Sequence, residues 1–180
     1  MSHRTPWCTT MTVAAVLTAT MAAPLTAAAA SVDRADPVQA ELVTEMRSIQ
    51  PGQSCWVALR LLMEEGWHTY WRNPGDAGLP TTIHWELPEG FVTGPIRWPF
   101  PQRLQVQSLV SFGYEDEVLL PVELRVPSTA QAGTDAVLAA RAEWGACKDI
   151  CVRGGAQVRT TLSVTSGVPA LEERWAQRFR

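Results

Sequence analysis

Beyond its first thirty residues the sequence has no stretch approaching the about 20 consecutive apolar residues that a membrane-spanning helix requires. The rest of the chain is therefore expected to be soluble. It also lacks any run of Lys or Arg that could follow a phosphate backbone. The net charge of −3 comes from interspersed acids and bases, which removes nucleic acid from the expected partners. There is no Gly-rich phosphate cradle, no H-x-x-x-H zinc pattern and no serine nucleophile elbow. Cysteine is scarce, with four in 180 residues. That is too few for a disulfide scaffold, so the fold must rest on a hydrophobic core, and the length suits one domain.

What is present begins with a leader unlike the remainder. His3 and Arg4 precede an uncharged stretch from Met11 to Leu25, followed by Ala27-Ala28-Ala29-Ala30. This pattern predicts a signal peptide over residues 1–30, with small residues at Ala28 and Ala30 suiting the peptidase and a mature start near Ser31. The alternative, a membrane anchor, is opposed by Pro24 in a stretch already short for spanning. Export into an oxidising compartment changes how the cysteines read, because thiols there tend to pair. Cys8 leaves with the leader. Cys55, Cys147 and Cys151 remain, an odd number that leaves at least one thiol outside any intramolecular bond.

After a polar leader over 31–37, apolar residues alternate with the period of two that a half-buried strand requires. Val38 to Met46 is the first such run. The second sets Cys55, Val57, Leu59, Leu61 and Met63 on one face and Trp56, Ala58, Arg60 and Leu62 on the other, as in a central strand. Further strands are expected at His68 to Trp71, Thr82 to Leu87, Gln105 to Leu109, Val118 to Val126, Ala136 to Trp144 and Gln157 to Val164. Asn73-Pro74-Gly75-Asp76, Pro88-Glu89-Gly90, Pro99-Phe100-Pro101 and Gly154-Gly155 are expected to break the chain between them. The pattern predicts an all-β sandwich or barrel over residues 38–166. From Pro169, Leu171, Trp175 and Phe179 recur every four residues, which predicts a short C-terminal helix over 167–180. It reaches Arg180 without a cap, as in a chain that continues in a longer protein, or as a stripe packed onto the sandwich.

Two cysteines four apart carry the clearest chemistry. A straight strand would hold Cys147 and Cys151 about 13 Å apart, whereas a disulfide needs Cα atoms within about 7 Å. The segment must turn, either as a three-residue hairpin loop or as one helical turn, and flanking strands favour the hairpin. A ring this small removes little entropy from the unfolded chain, so stability is a weak reason for the bond. Thiol-disulfide exchange is a better one, with Lys148 near enough in sequence to favour a thiolate and Asp149 to offset it. A static disulfide and a Cu(I) site using Cys147 and Cys151 as ligands are the alternatives. A third copper ligand would have to come from His68, His84, Met46 or Met63. Cys55 shares its face with Val57 and Leu59, which predicts a buried small hydrophobe. The Trp-rich stretches at Trp67 to Trp71 and Ile96 to Phe100 read as core or loop packing, or as a binding surface.

Gly66-Trp67-His68-Thr69-Tyr70-Trp71-Arg72-Asn73-Pro74-Gly75-Asp76, Gly78-Leu79-Pro80-Thr81, Leu87-Pro88-Glu89-Gly90-Phe91, Gly113-Tyr114-Glu115 and the Cys147/Cys151 pair occur in an order that resembles the amino-terminal periplasmic domain of the DsbD family. The resemblance is closest to the suppressor-of-copper-sensitivity (ScsB) group and runs from about Val38 to Val164. It implies an immunoglobulin-like β-sandwich in the periplasm. Such a domain takes electrons from a membrane-embedded thiol reductase domain and gives them to periplasmic thiol-disulfide proteins, with Cys147 and Cys151 as the redox pair and no further cofactor. It also implies a cap loop over the pair, which places Phe112 and Tyr114 as its aromatics. The chain departs from DsbD in separating its cysteines by three residues rather than five, and in having Val110 and Ser111 where acidic residues precede the cap.

Overall fold

The computed structural model describes residues 36–106 and 108–179. The expected signal peptide and residues 31–35 of the 31–37 leader lie outside them. Twelve strands follow in order: β1 Val38–Thr44, β2 Met46–Ile49, β3 Ser54–Met63, β4 His68–Gly75, β5 Thr82–Glu86, β6 Val92–Thr93, β7 Gln102–Val106, β8 Leu109–Glu115, β9 Glu117–Arg125, β10 Thr134–Cys147, β11 Cys151–Val164 and β12 Ala170–Leu171. One sheet has the order β1-β3-β9-β6 and the other β12-β2-β11-β10-β4-β8-β7, with β5 also paired to β10.

The alternation builds the core directly. Leu42, Leu59, Leu61, Met63 and Leu120 from the first sheet meet Tyr114, Ala140, Ala142, Trp144 and Ala146 from the second. Ile49, Cys55, Val57, Val122, Leu124, Leu138 and Leu162 form the adjoining half. Trp67, Trp71, Trp85 and Trp98 pack against this core while partly buried, although Phe100 stands 98% exposed between its two prolines. Cys55 is 4% exposed, and burial, reinforced by Glu45, pushes its thiol up to about 12. We expect Cys55→Ala to cost about 1 kcal/mol, as small cavity-forming changes do. The parent should take up an alkylating reagent at Cys55 only as it unfolds, and labelling at the native rate of a surface thiol would contradict this placement.

Several expected boundaries move. The run from Val38 to Met46 divides at Glu45, whose N–H donates to the Trp56 carbonyl at 2.9 Å, and β1 and β2 then enter different sheets. The strand expected at Gln105 to Leu109 instead spans the end of β7 and the start of β8, where Gln105 pairs with Val110 and Val106 with Leu109. Gly154-Gly155 is no break but lies within β11, near its start. A Cβ at Gly154 would lie 2.3 Å from Trp144 Nε1, so the glycine makes room for the buried ring opposite it in register.

The C-terminal helix is also corrected. Ala170–Leu171 pairs with β2, the Ala170 N–H donating to Ser48 Oγ at 3.0 Å, and only Ala176–Phe179 forms a 3-10 turn. A segment this short cannot hold a helix by itself, and the edge of β2 offers its backbone partners instead. Trp175 still docks, against Val43 and Ala58 on the outer face of the first sheet with Phe179 beside it, while Leu171 stays 45% exposed. Arg60, Arg174 and Arg178 lie 5.4, 4.6 and 5.6 Å from the Trp175 ring, and Glu117 pairs with both Arg60 and Arg178.

Candidate redox site

β10 and β11 form one long hairpin that stays in register from Thr134↔Val164 to Cys147↔Cys151. Lys148, Asp149 and Ile150 make the three-residue loop, with the Lys148 N–H donating to the Ile150 carbonyl at 3.1 Å. Directly opposed positions at the end of a hairpin bring the two Cα atoms to 4.1 Å, and Cys147 and Cys151 are disulfide-bonded. Of the two geometries open to the sequence, the hairpin is the one formed.

The two sulfurs differ in surroundings. Along β10 the even-numbered residues from Ala136 to Ala146 face the core, and the odd-numbered ones face outward. Cys147 belongs to the outer set, yet it is only 4% exposed, whereas Cys151 is exposed. The cover comes from elsewhere in the chain. Tyr70 on β4 donates its hydroxyl to Cys147 Sγ at 2.8 Å and reaches within 4.0 Å of Cys151 Sγ. Burial raises the Tyr70 phenol above its ordinary value, so it remains protonated and a donor at neutral pH. Gly78 lies flat on the Tyr70 ring: it has φ +133, and a Cβ there would come within 2.3 Å of the ring carbons. Leu79 packs on Gly145, whose N–H donates to the Leu79 carbonyl at 3.2 Å. Tyr70, Gly78, Leu79, Gly145, Val152 and Arg153 thus line a cleft of about 270 Å³ that opens onto both cysteines.

His68 is the cross-strand partner of Cys147 and in turn faces Glu115 on β8. Its ring meets Tyr70 edge to face at 5.3 Å, and burial lowers its pKa against the weaker opposing pull of Glu115. The other residues weighed as metal ligands are not brought to the pair. His84 pairs with Arg141 farther down β10, Met46 lies on β2, and Met63 Sδ accepts from Thr69 Oγ1 at 3.8 Å. Lys148 turns away as well, its Nζ donating to the Glu65 carbonyl at 2.9 Å.

Neither Phe112 nor Tyr114 is among the residues that line the cleft onto the disulfide. Tyr114 pairs with Thr69, which pairs with Ala146, so its side chain shares the core face and not the face of Cys147. It is 5% exposed and donates its hydroxyl to the Pro99 carbonyl at 2.9 Å. Phe112 lies beside Gly75, 3.4 Å from where a Cβ would stand. Tyr114→Phe should therefore cost about 1 kcal/mol through the lost hydrogen bond. Neither Tyr114→Phe nor Phe112→Ala should change the rate at which the reduced pair is oxidised by glutathione disulfide. A faster rate in either variant would restore the cap to β8. The residues that do provide the cover, Tyr70, Gly78 and Leu79, stand inside quoted motifs, but nothing in their spacing shows that they meet the cysteines.

The family described as thiol:disulfide interchange protein DsbD, N-terminal, matches residues 34–163, which take in the first eleven strands but for Val164 and include both cysteines of the pair. The chain belongs to the DsbD N-terminal domain family. Its sandwich is the immunoglobulin-like fold of that domain. Among solved structures, the N-terminal periplasmic domain of ScsB from Proteus mirabilis aligns at 22% identity over 66% of this chain, with a TM-score of 0.49. The chain spans 43% of that protein's length. The reduced DsbD N-terminal domain of Neisseria meningitidis aligns at 13% identity over 72% of this chain and 89% of its own, with a TM-score of 0.26. The major pilin subunit BcpA of Bacillus cereus aligns at 12% identity over 72% of this chain and 40% of its own, with a TM-score of 0.35. No curated protein sequence matches the chain.

Proposed function

We propose that this DsbD-type domain works in the periplasm as an electron relay. In this reading it takes electron pairs from a membrane-embedded thiol reductase domain and passes them through Cys147 and Cys151 to periplasmic thiol-disulfide proteins. The observation that carries it is the asymmetry of the pair: one sulfur stands at the surface, and its partner lies under a tyrosine hydroxyl.

Exchange requires a thiolate to approach one sulfur in line while the other leaves. A donor thiolate attacks the accessible Cys151 Sγ, the Cys147–Cys151 bond breaks, and Cys147 leaves with the electron pair. Tyr70 already points its O–H at that sulfur and stabilises the thiolate as it forms. A second donor thiol then attacks the donor's own sulfur in the mixed disulfide. This releases Cys151, so the donor becomes a disulfide and the pair a dithiol holding the two electrons. Delivery to an acceptor runs the same steps in reverse.

The test is to equilibrate the protein with mixtures of reduced and oxidised glutathione, alkylate the free thiols and identify them by mass spectrometry. Cys147 and Cys151 should open and close together, with Cys55 unmodified throughout. A bond between Cys55 and either of the others, or a 147–151 bond that never opens under reducing mixtures, would refute the relay. The copper reading uses the same two sulfurs when reduced, with His68 in register with Cys147 on the neighbouring strand but no cluster of three or more His, Cys, Asp or Glu ligands among the described residues. Titration of the reduced protein with Cu(I) against a competing chelator separates the two, since a relay competes poorly for the ion.

A further inference from the structure

His68 is 95% buried, yet its ring nitrogens hold no hydrogen bond among the described residues while the disulfide is closed. Neither nitrogen is among the fully enclosed polar atoms without a partner, which in the described residues are Trp71 Nε1 and Trp144 Nε1, so the imidazole keeps an edge free to take one. Three features define its position. It sits directly opposite Cys147 on the neighbouring strand, where paired Cβ atoms are about 5 Å apart. Its ring is fixed edge-on to Tyr70, the residue already bonded to Cys147 Sγ. Its remaining charged neighbours, Glu115 on β8 and Lys148 in the hairpin loop, are exposed, and Lys148 is tied to the Glu65 carbonyl.

We propose that His68 is the second hydrogen-bond donor to the Cys147 sulfur, engaged only when the disulfide opens. The inference rests on the exchange reading above and extends it by naming what holds the buried leaving group. When an incoming thiolate bonds to Cys151 Sγ, the electron pair of the broken S–S bond stays on Cys147. The freed sulfur is no longer held toward Cys151, and a rotation about its Cα–Cβ bond turns it toward the imidazole. An N–H of the imidazole and the O–H of Tyr70 then both donate to one thiolate, with no proton transferred and no other reactant consumed. When the pair closes again the Cys147 thiolate attacks Cys151 Sγ in the mixed disulfide, the bond from Cys151 to the partner breaks, the partner's sulfur leaves with the electron pair, and His68 is left without a protein hydrogen bond. Two donors to a buried thiolate favour the dithiol state, so His68 raises the pair's tendency to accept electrons.

The test is the equilibrium of the pair with glutathione at pH 7, read by alkylation for the parent, His68→Phe and His68→Gln. His68→Phe keeps the bulk of the ring and removes both nitrogens. It is expected to move the equilibrium toward the disulfide by about tenfold, the lower range for a hydrogen bond to a charged group, or about 30 mV for a two-electron couple. His68→Gln keeps an N–H donor and should recover most of the shift. A parent pair that does not exchange with glutathione at all removes the relay reading. Normal exchange in the parent, with His68→Phe unchanged or shifted toward the dithiol, overturns the role of His68 alone. Should His68→Phe fail to fold, the imidazole nitrogen resonances of the parent decide. They must move on reduction of the pair, and resonances that stay in place overturn the proposal.

Discussion

Cys151→Ser is expected to abolish exchange, whereas Cys147→Ser should leave a protein that reacts once with a disulfide and stops there. The difference follows from where each sulfur lies. In Cys147→Ser the remaining thiol is the exposed Cys151, which can attack glutathione disulfide and be held as a mixed disulfide, because no second thiol is present to resolve it. In Cys151→Ser the remaining thiol is Cys147, 4% exposed and hydrogen-bonded to Tyr70, so its sulfur offers an incoming disulfide far less surface than Cys151 does. Both variants should fold, since loop entropy assigns a ring this small about 2 kcal/mol and the hairpin keeps its backbone register without it. Mass spectrometry after incubation with glutathione disulfide reads the adduct directly. Equal adduct formation in both variants, or a preference for Cys147, would show that the burial difference does not govern attack.

Trp144→Ala should cause the largest loss of stability of any single change in the sandwich, about 3–5 kcal/mol. The ring is fully buried between the sheets, in contact with the cluster that holds Leu42, Leu59, Leu61 and Leu120. Its strand partner is Gly154, which has no side chain to move into the space left behind. The cavity would lie three residues from Cys147 on the strand that carries it. For a domain of this size the loss corresponds to a fall in Tm of about 10 °C or more. Thermal melting and urea unfolding measure it, with the midpoint falling and the slope unchanged. A Tm within about 2 °C of the parent would mean that the sheets close over the gap. Trp144→Phe, which refills much of the volume and removes the unpartnered indole N–H, should fall well short of that loss.

How far the sequence could be read depended on whether a feature was local. β3 alternates so cleanly that Cys55, Val57, Leu59, Leu61 and Met63 were assignable to one buried face, and all five are buried. The Trp175 stripe misled, because a four-residue recurrence looks helical whether the segment coils or runs past the edge of a sheet. Gly154-Gly155 looked like a break for the same reason: a glycine pair signals a turn unless a large ring stands opposite it. Phe112 and Tyr114 were placed over the cysteines by resemblance. Two strands away, the direction of their side chains was set by register, which the resemblance does not carry.

The sequence by itself determined the strand period, the need for a turn between Cys147 and Cys151, and the family, because each depends on residue types at short spacing. Only the tertiary structure decided which sulfur is exposed and what covers the other. Alternation tells which side chains of one strand point the same way, but not which strand lies beside it. Cys147 acquires Tyr70, His68 and the Gly78–Leu79 cover from a segment about seventy residues earlier, placed there by the pairing of β4 with β10. Two cysteines alike in sequence differ chemically because solvent access and hydrogen bonding at a sulfur are set by neighbours in space.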